Sequence, residues 1–210
     1  MSVCYIVGAG ECPSLPIHPA DGDWIIAADG GYCAVQKAGL HADWVVGDFD
    51  SLGDAPAGER ILRHPVEKDD TDTMLAVKIG LAHGFRRFRL YGGLGGRLDH
   101  TIANLHALAY LDAHGAEGRL IGAHETAAML SDGTVRFSAA AAGTLSVFAW
   151  GGRAAGVTLT GLHYPLCDAV LTPEFPLGVS NEFTGAESEV TVRSGRLLLI
   201  WRGEPDWMRL

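Results

Sequence analysis

Short apolar runs alternate with longer helical stretches over the first 123 residues, and there the alternation stops. Residues 3–7, 24–28, 44–46 and 88–91 are apolar runs that break off at glycine or aspartate, the pattern of buried strands running into loops. Residues 61–63 and 119–122 are weaker candidates of the same kind. Helical stretches lie between them, at 32–38, 71–83 and 100–114, each closed by a glycine suited to a left-handed C-terminal cap (Gly39, Gly84, Gly115). Strands alternating with helices predict a parallel sheet covered by helices. After His124 the runs are short: 134–137, 145–150, 156–159, 190–193 and 197–201. Turn residues separate them, and Ser194-Gly195 predicts a two-residue hairpin between the last two. The expected fold is α/β: an N-terminal parallel-sheet domain over 1–123, then a smaller C-terminal antiparallel β-sandwich over 124–210.

Charge narrows the partners. The formal net charge is -9 and no Lys/Arg-rich run occurs, which argues against nucleic acid or an anionic membrane surface. The overall field favours a cationic substrate. Cys4, Cys12, Cys33 and Cys167 show neither C-x-x-C pairing nor the histidine spacing of a zinc site. The first residues lack the basic and apolar regions of a signal peptide, and the run at 137–150 is too short and too polar to span a bilayer. The expectation is a cytoplasmic protein with reduced thiols.

Three clusters carry candidate chemistry at the expected carboxyl ends of the strands, where open α/β sheets bind ligands. The first is Gly47-Asp48-Phe49-Asp50-Ser51. In an extended chain Asp48 and Asp50 face the same way, and a hard cation would offset their repulsion, although an acidic turn needs no such partner. The second is Lys68-Asp69-Asp70-Thr71-Asp72 at a helix start. One acid suffices to cap free N–H groups there, and three exceed that need. A carboxylate from this turn can meet Asp48 and Asp50 at one cation, while Lys68 holds a phosphate. The third is Gly92-Gly93-Leu94-Gly95-Gly96-Arg97-Leu98-Asp99-His100. Its glycines let backbone N–H groups approach an anion at a helix N-terminus, and Arg97 can clamp phosphate oxygens, the alternative being a plain glycine turn with Asp99 as N-cap. It matches neither the dinucleotide-binding nor the Walker pattern. Together the three suit transfer from a nucleoside triphosphate with Mg²⁺. A fourth segment, 177–183, places Ser180 and Asn181 in what reads as a polar turn. Trp150, Trp201 and Trp207 could stack on a cationic ring or simply pack a core.

Four ordered motifs, G-D-F-D-S at 47–51, K-D-D-T-D at 68–72, G-G-L-G-G-R-L-D-H at 92–100 and G-V-S-N-E-F at 178–183, resemble those of thiamin pyrophosphokinases, and A-D-G-G at 28–31, with Asp29, also fits. The resemblance implies an α/β domain binding ATP and Mg²⁺, a thiamin-binding β-sandwich, and a homodimer with active sites between subunits. It implies Asp48, Asp50 and Asp72 as the Mg²⁺ carboxylates. Asp29, Lys68, Asp69, Asp70, Gly93, Gly95, Gly96 and Arg97 would serve the triphosphate, Asp99 would sit beside the reacting groups, and Ser180 and Asn181 would contact thiamin. The reaction implied is ATP plus thiamin giving AMP plus thiamin diphosphate. A diphosphokinase for another alcohol, such as a hydroxymethylpterin, and a non-catalytic nucleotide or thiamin sensor are the rival readings.

Overall fold

The computed structural model describes residues 2–10, 15–47, 70–203 and, for the backbone alone, 60–63 and 207–209. The chain divides into two compact units, Met1–Ala123 and His124–Leu210.

Among the described residues the first unit holds six parallel strands: β1 (Cys4–Val7), β2 (Trp24–Ala28), β3 (Trp44–Gly47), β4 (Arg60–Arg63), β5 (Arg87–Tyr91) and β6 (Glu117–Ile121). They pair in the order β4-β3-β2-β1-β5-β6. The chain therefore steps outward from β1 to β4, returns, and resumes on the other side of β1. That reversal makes the gap between β1 and β5 the switch point of the sheet. Three helices cross it: α1 (Gly31–Lys37), α2 (Asp72–Ala82) and α3 (Leu98–Ala113). The central strands β1, β2 and β3 read as apolar runs because both faces are covered, while β4, β5 and β6 also carry charged residues. Val7, Ile25, Ala27 and Val45 pack with Tyr32 and Val35 of α1, while Ile6, Ile26 and Val46, the alternate positions, are equally buried. Cys4 is part of this core, and burial, with Asp43 nearby, pushes its thiol far above the ordinary range, so it acts as a small apolar side chain.

The second unit is antiparallel: β7 (Glu125–Phe137), β8 (Thr144–Ala149), β9 (Ala154–Thr160), β10 (Leu166–Leu171), β11 (Gly178–Glu182), β12 (Ser188–Arg202) and β13 (Trp207–Arg209). The expected hairpin at Ser194-Gly195 does not form. Residues on both sides of it pair antiparallel with β7, so β12 is one strand interrupted by a bulge between Val192 and Arg196. Gly195 has φ +99°, and its N–H donates to Asp132 Oδ1 on the facing strand at 3.1 Å. The glycine that suggested a turn serves instead to kink a strand. Below the kink β12 pairs with β9 and above it with β8, so one strand belongs to two edges of the unit. The segment read as a polar turn at 177–183 is largely strand β11, paired with β8. Trp201 is 1% exposed and meets Phe137 edge-on at 5.4 Å, which makes it core rather than a ligand platform.

Helix α1 starts against the end of β1, and a Cβ at Gly31 would stand 1.9 Å from the Val7 carbonyl oxygen. Gly31→Ala is expected to destabilise the protein by about 1–3 kcal/mol through this overpacking. Gly152→Ala, where a Cβ meets nothing within 4 Å, should leave the thermal midpoint unchanged. Thermal unfolding followed by circular dichroism compares the two.

Candidate active site

The carboxyl ends of β1 and β5 meet through backbone contacts that leave no room for side chains. The Gly8 N–H donates to the Tyr91 carbonyl at 2.8 Å, and the Gly10 N–H to the Gly92 carbonyl at 3.0 Å. A Cβ on Gly10 would lie 2.4 Å from that Gly92 oxygen. Beside this junction is a cleft of ≈ 230 Å³ whose lining includes Gly8, Asp29, Asp70, Asp72, His100 and Asn104. A larger hollow of ≈ 430 Å³ lies at the other end of the strands, against Trp24, His83 and Phe85. It has no carboxylate lining, and its aromatic rings pack on one another. The clustered carboxylates line the smaller cleft.

Asp29 ends β2 with φ +49°, a conformation rare outside glycine, and its N–H donates to the Val46 carbonyl at 2.8 Å. A Cβ at Gly47 would meet the Asp29 Cα at 3.3 Å. Asp48 follows Gly47 directly in the chain; Asp48, Asp50, Lys68 and Asp69 lie outside the described residues. At the start of α2 the cap is Thr71, whose Oγ1 accepts from the Met74 N–H at 3.2 Å. Capping thus falls to a neutral hydroxyl, and the neighbouring acids are not consumed by it. Asp72 opens the helix where the dipole favours an anion. Asp70 instead receives Lys78 Nζ on both oxygens, at 2.8 and 2.7 Å. The pair is about one-third exposed on each side, so solvent limits its contribution to stability. Lys78 adds a cation beside the acidic cluster that the motif at 68–72 did not include.

The glycine loop between β5 and α3 is organised from below by Asn104. This residue is buried, and its Nδ2 donates to the Gly93 carbonyl at 2.9 Å. Sequence reasoning missed it, although a signal existed: Asn104 is the one polar position in the buried series 104, 107, 108, 111 of α3. Gly95 and Gly96 have φ of +82° and +66°, and a Cβ at either meets nothing within 4 Å. The rim they form is open to an approaching ligand. The N-cap of α3 is Arg97 rather than Asp99. Arg97 and Asp99 form a two-point pair, Nε to Oδ1 at 3.2 Å and NH2 to Oδ2 at 2.6 Å, with both side chains mostly exposed. Neither residue lines the cleft, whereas His100 does.

Among the described residues no three His, Cys, Asp or Glu side chains stand close enough together to hold a metal ion. The cleft's acids are nevertheless hard oxygen donors, with neither thiolate nor clustered imidazole among them, and that donor chemistry fits Mg²⁺ rather than a soft metal.

Comparison with known proteins shows the family. Residues 20–118 match the family described as thiamin pyrophosphokinase, catalytic domain. Residues 134–199 match that described as thiamin pyrophosphokinase, vitamin B1 binding domain. The chain belongs to the thiamin pyrophosphokinase family. A thiamine pyrophosphokinase from Bacillus subtilis is 26% identical over 210 residues, spanning 95% of this chain and 98% of that protein. The crystal structure of a Bacillus subtilis thiamine pyrophosphokinase superposes with a TM-score of 0.87 at 24% identity, covering 97% of this chain and 100% of the other. That of a thiamin pyrophosphokinase from Geobacillus thermodenitrificans gives 0.82 at 26% identity, covering 96% and 98%. The chain is accordingly an enzyme of the ATP-dependent diphosphotransferase class acting on thiamin.

The Arg97 guanidinium, chiefly through its hydrogen bonds, holds the Asp99 carboxyl below the ordinary carboxylate range. A depressed folded-state pKa means that the pair stabilises the loop at neutral pH and is lost as pH falls through the Asp99 titration. In a ¹³C NMR titration Asp99 is expected to titrate below a typical aspartate, and Arg97→Ala should move it upward. An unchanged midpoint in that variant would show that the pair does not persist in solution.

Proposed function

We propose that the cleft at the switch point between β1 and β5 is the ATP and Mg²⁺ site, and that the antiparallel unit is a β-sandwich that binds thiamin. The observation that carries the first assignment is the gathering of Asp29, Asp70 and Asp72 beside the glycine junction and under the α3 N-terminus. Asp72 would hold Mg²⁺ together with Asp48 and Asp50, which lie just beyond Gly47 in the chain. Bound there, the ion would offset the charge that builds on the phosphate oxygens during transfer.

The remaining work falls to the chain itself. The thiamin hydroxyl oxygen forms a bond to the β-phosphorus of ATP. The bond from that phosphorus to the oxygen bridging it to the α-phosphate breaks, and AMP departs with the bridging oxygen. The hydroxyl proton passes to solvent or to a nearby carboxylate. Backbone N–H groups of the loop at Gly93, Gly95 and Gly96 and the open first turn of α3 suit the triphosphate anion. Arg97 is on the rim to reach phosphate oxygens, with Asp99 orienting its guanidinium. Asp29 and Lys78-bound Asp70 shape the acidic wall, and Lys68 and Asp69 directly precede Asp70 in the chain. Positioning and charge neutralisation carry most of such a transfer, and no strong general base is needed.

On the thiamin side, Ser180 and Asn181 support the assignment of β11. Ser180 has φ +56° and lies in a register shift of β11 against β8, a local distortion of the kind that re-aims side chains at sites. Phe175, Leu177 and Val179 are exposed apolar residues around it, which supports a homodimer in which a second copy covers them. Free Cys33 and Cys167, both exposed, suit the reducing cytoplasm.

Asp72→Asn is expected to lower kcat by roughly 10²-fold or more while leaving the thermal midpoint within a few degrees, because a lost metal carboxylate costs several kcal/mol of transition-state stabilisation. Turnover of wild-type protein should cease on chelation and return with added Mg²⁺. AMP formation is the readout, and normal Mg²⁺-dependent activity in Asp72→Asn would remove that residue from the metal site. AMP produced with a hydroxymethylpterin and not with thiamin would contradict the substrate assignment.

A further inference from the structure

Asn181 is only 3% exposed, in a unit whose interior is otherwise almost wholly apolar. Its amide is largely spent on backbone. Oδ1 accepts from the N–H groups of Tyr164 and Glu182, each at 2.9 Å, and Nδ2 donates to the Tyr164 carbonyl at 2.7 Å. An asparagine amide offers two donor N–H bonds and two acceptor lone pairs. Both lone pairs and one N–H are occupied, so at most one N–H remains for a ligand. Reversing the amide would set donor against donor and acceptor against acceptor, so its orientation is fixed.

These bonds hold a segment that is fastened at every residue. The Gly161 carbonyl accepts from Thr184 Oγ1 at 2.8 Å and Ser188 Oγ at 2.9 Å. Leu162 bridges Phe183, and the His163 N–H donates to the Glu182 carbonyl at 2.9 Å. Asn181 then grips Tyr164 on both backbone groups. Tyr164 as a residue is 60% exposed, and its ring lies perpendicular to that of His163 with centroids 4.8 Å apart. An exposed aromatic residue with a pinned backbone gives up little conformational freedom on binding a flat partner. An aromatic face also attracts a cation, and thiamin carries a fixed positive charge on an aromatic ring.

We infer that Asn181 is a positioning residue: it holds Tyr164, whose exposed ring receives the cationic ring of thiamin, and it does not itself supply the main contact to substrate. The inference rests on the reading that the C-terminal unit binds thiamin. Steady-state kinetics on the full chain, with a double-mutant cycle, tests it. Tyr164→Ala should raise the thiamin KM roughly 10-fold with the ATP KM unchanged, as loss of a ring–cation contact of this kind predicts. Tyr164→Phe should stay close to wild type. Asn181→Ala should raise the thiamin KM to a similar degree, yet add less than about twofold in the Tyr164→Ala background, because it acts through a ring already removed. Fully multiplicative effects would show that Asn181 bonds thiamin directly and would overturn the inference. So would an unchanged thiamin KM in Tyr164→Ala. Where Asn181→Ala does not fold, Asn181→Asp, which keeps the size but cannot donate to the Tyr164 carbonyl, is judged by the same criteria. Ser180→Ala separates the two levels. If it raises the thiamin KM while Tyr164→Ala does not, the inference fails and the thiamin reading stands. If Ser180, Tyr164 and Asn181 variants all keep the wild-type thiamin KM, both fail.

Discussion

The catalytic unit depends on a backbone-to-backbone contact at the switch point, where the loop after β1 meets the loop after β5. Gly8 and Gly10 donate to the carbonyls of Tyr91 and Gly92 at a separation that a Cβ on Gly10 or Gly92 would violate. The contact ties together two strands that are adjacent in the sheet but far apart in sequence. The glycine loop that follows β5 is fastened to Asn104, which lines the same cleft as Asp70 and Asp72. The strand order supplies the cleft, and the glycines keep it from filling with side chains.

Around this junction the charges are distributed with a division of labour. Neutral groups do the structural capping: the Thr71 hydroxyl at α2 and the Asn104 amide under Gly93. The acids of the cleft are therefore not used for these two caps, and gathered carboxylates favour nearby cations. Lys78 meets Asp70 and Arg97 meets Asp99, both in partly or largely exposed pairs that can exchange partners at low cost. A polyanionic co-substrate and a hard cation suit such a surface, where carboxylates gather beside exchangeable cations.

Among the described residues, the sequence pattern located the strands and helices of the parallel-sheet unit, most sharply at β1, β2 and β3, whose apolar runs break off at glycine or aspartate because both faces are buried. The ordered acidic and glycine motifs were equally legible, and they marked the family. In the antiparallel unit, pattern reasoning was weaker. Ser194-Gly195 carries the chemistry of a turn but occupies a bulge, since local signals do not show that the chain continues along the same partner strand. β10 and β11 were missed because one is largely exposed and the other carries Ser180 and Asn181 in a distorted register. Asn181 looked like a surface hydrogen-bonding residue, and only the fold reveals that it is buried against the Tyr164 backbone. Asn104 was hidden by its place within an apolar helix.

The central claim is the location of the triphosphate site, and amide NMR of the intact protein titrated with ATP and Mg²⁺ tests it most directly. The account predicts that the largest shifts fall on Gly93, Gly95, Gly96, His100 and Asn104, with Asp72 and Thr73 close behind. Shifts centred instead on Trp24, His83 and Phe85, at the opposite end of the strands, would contradict it.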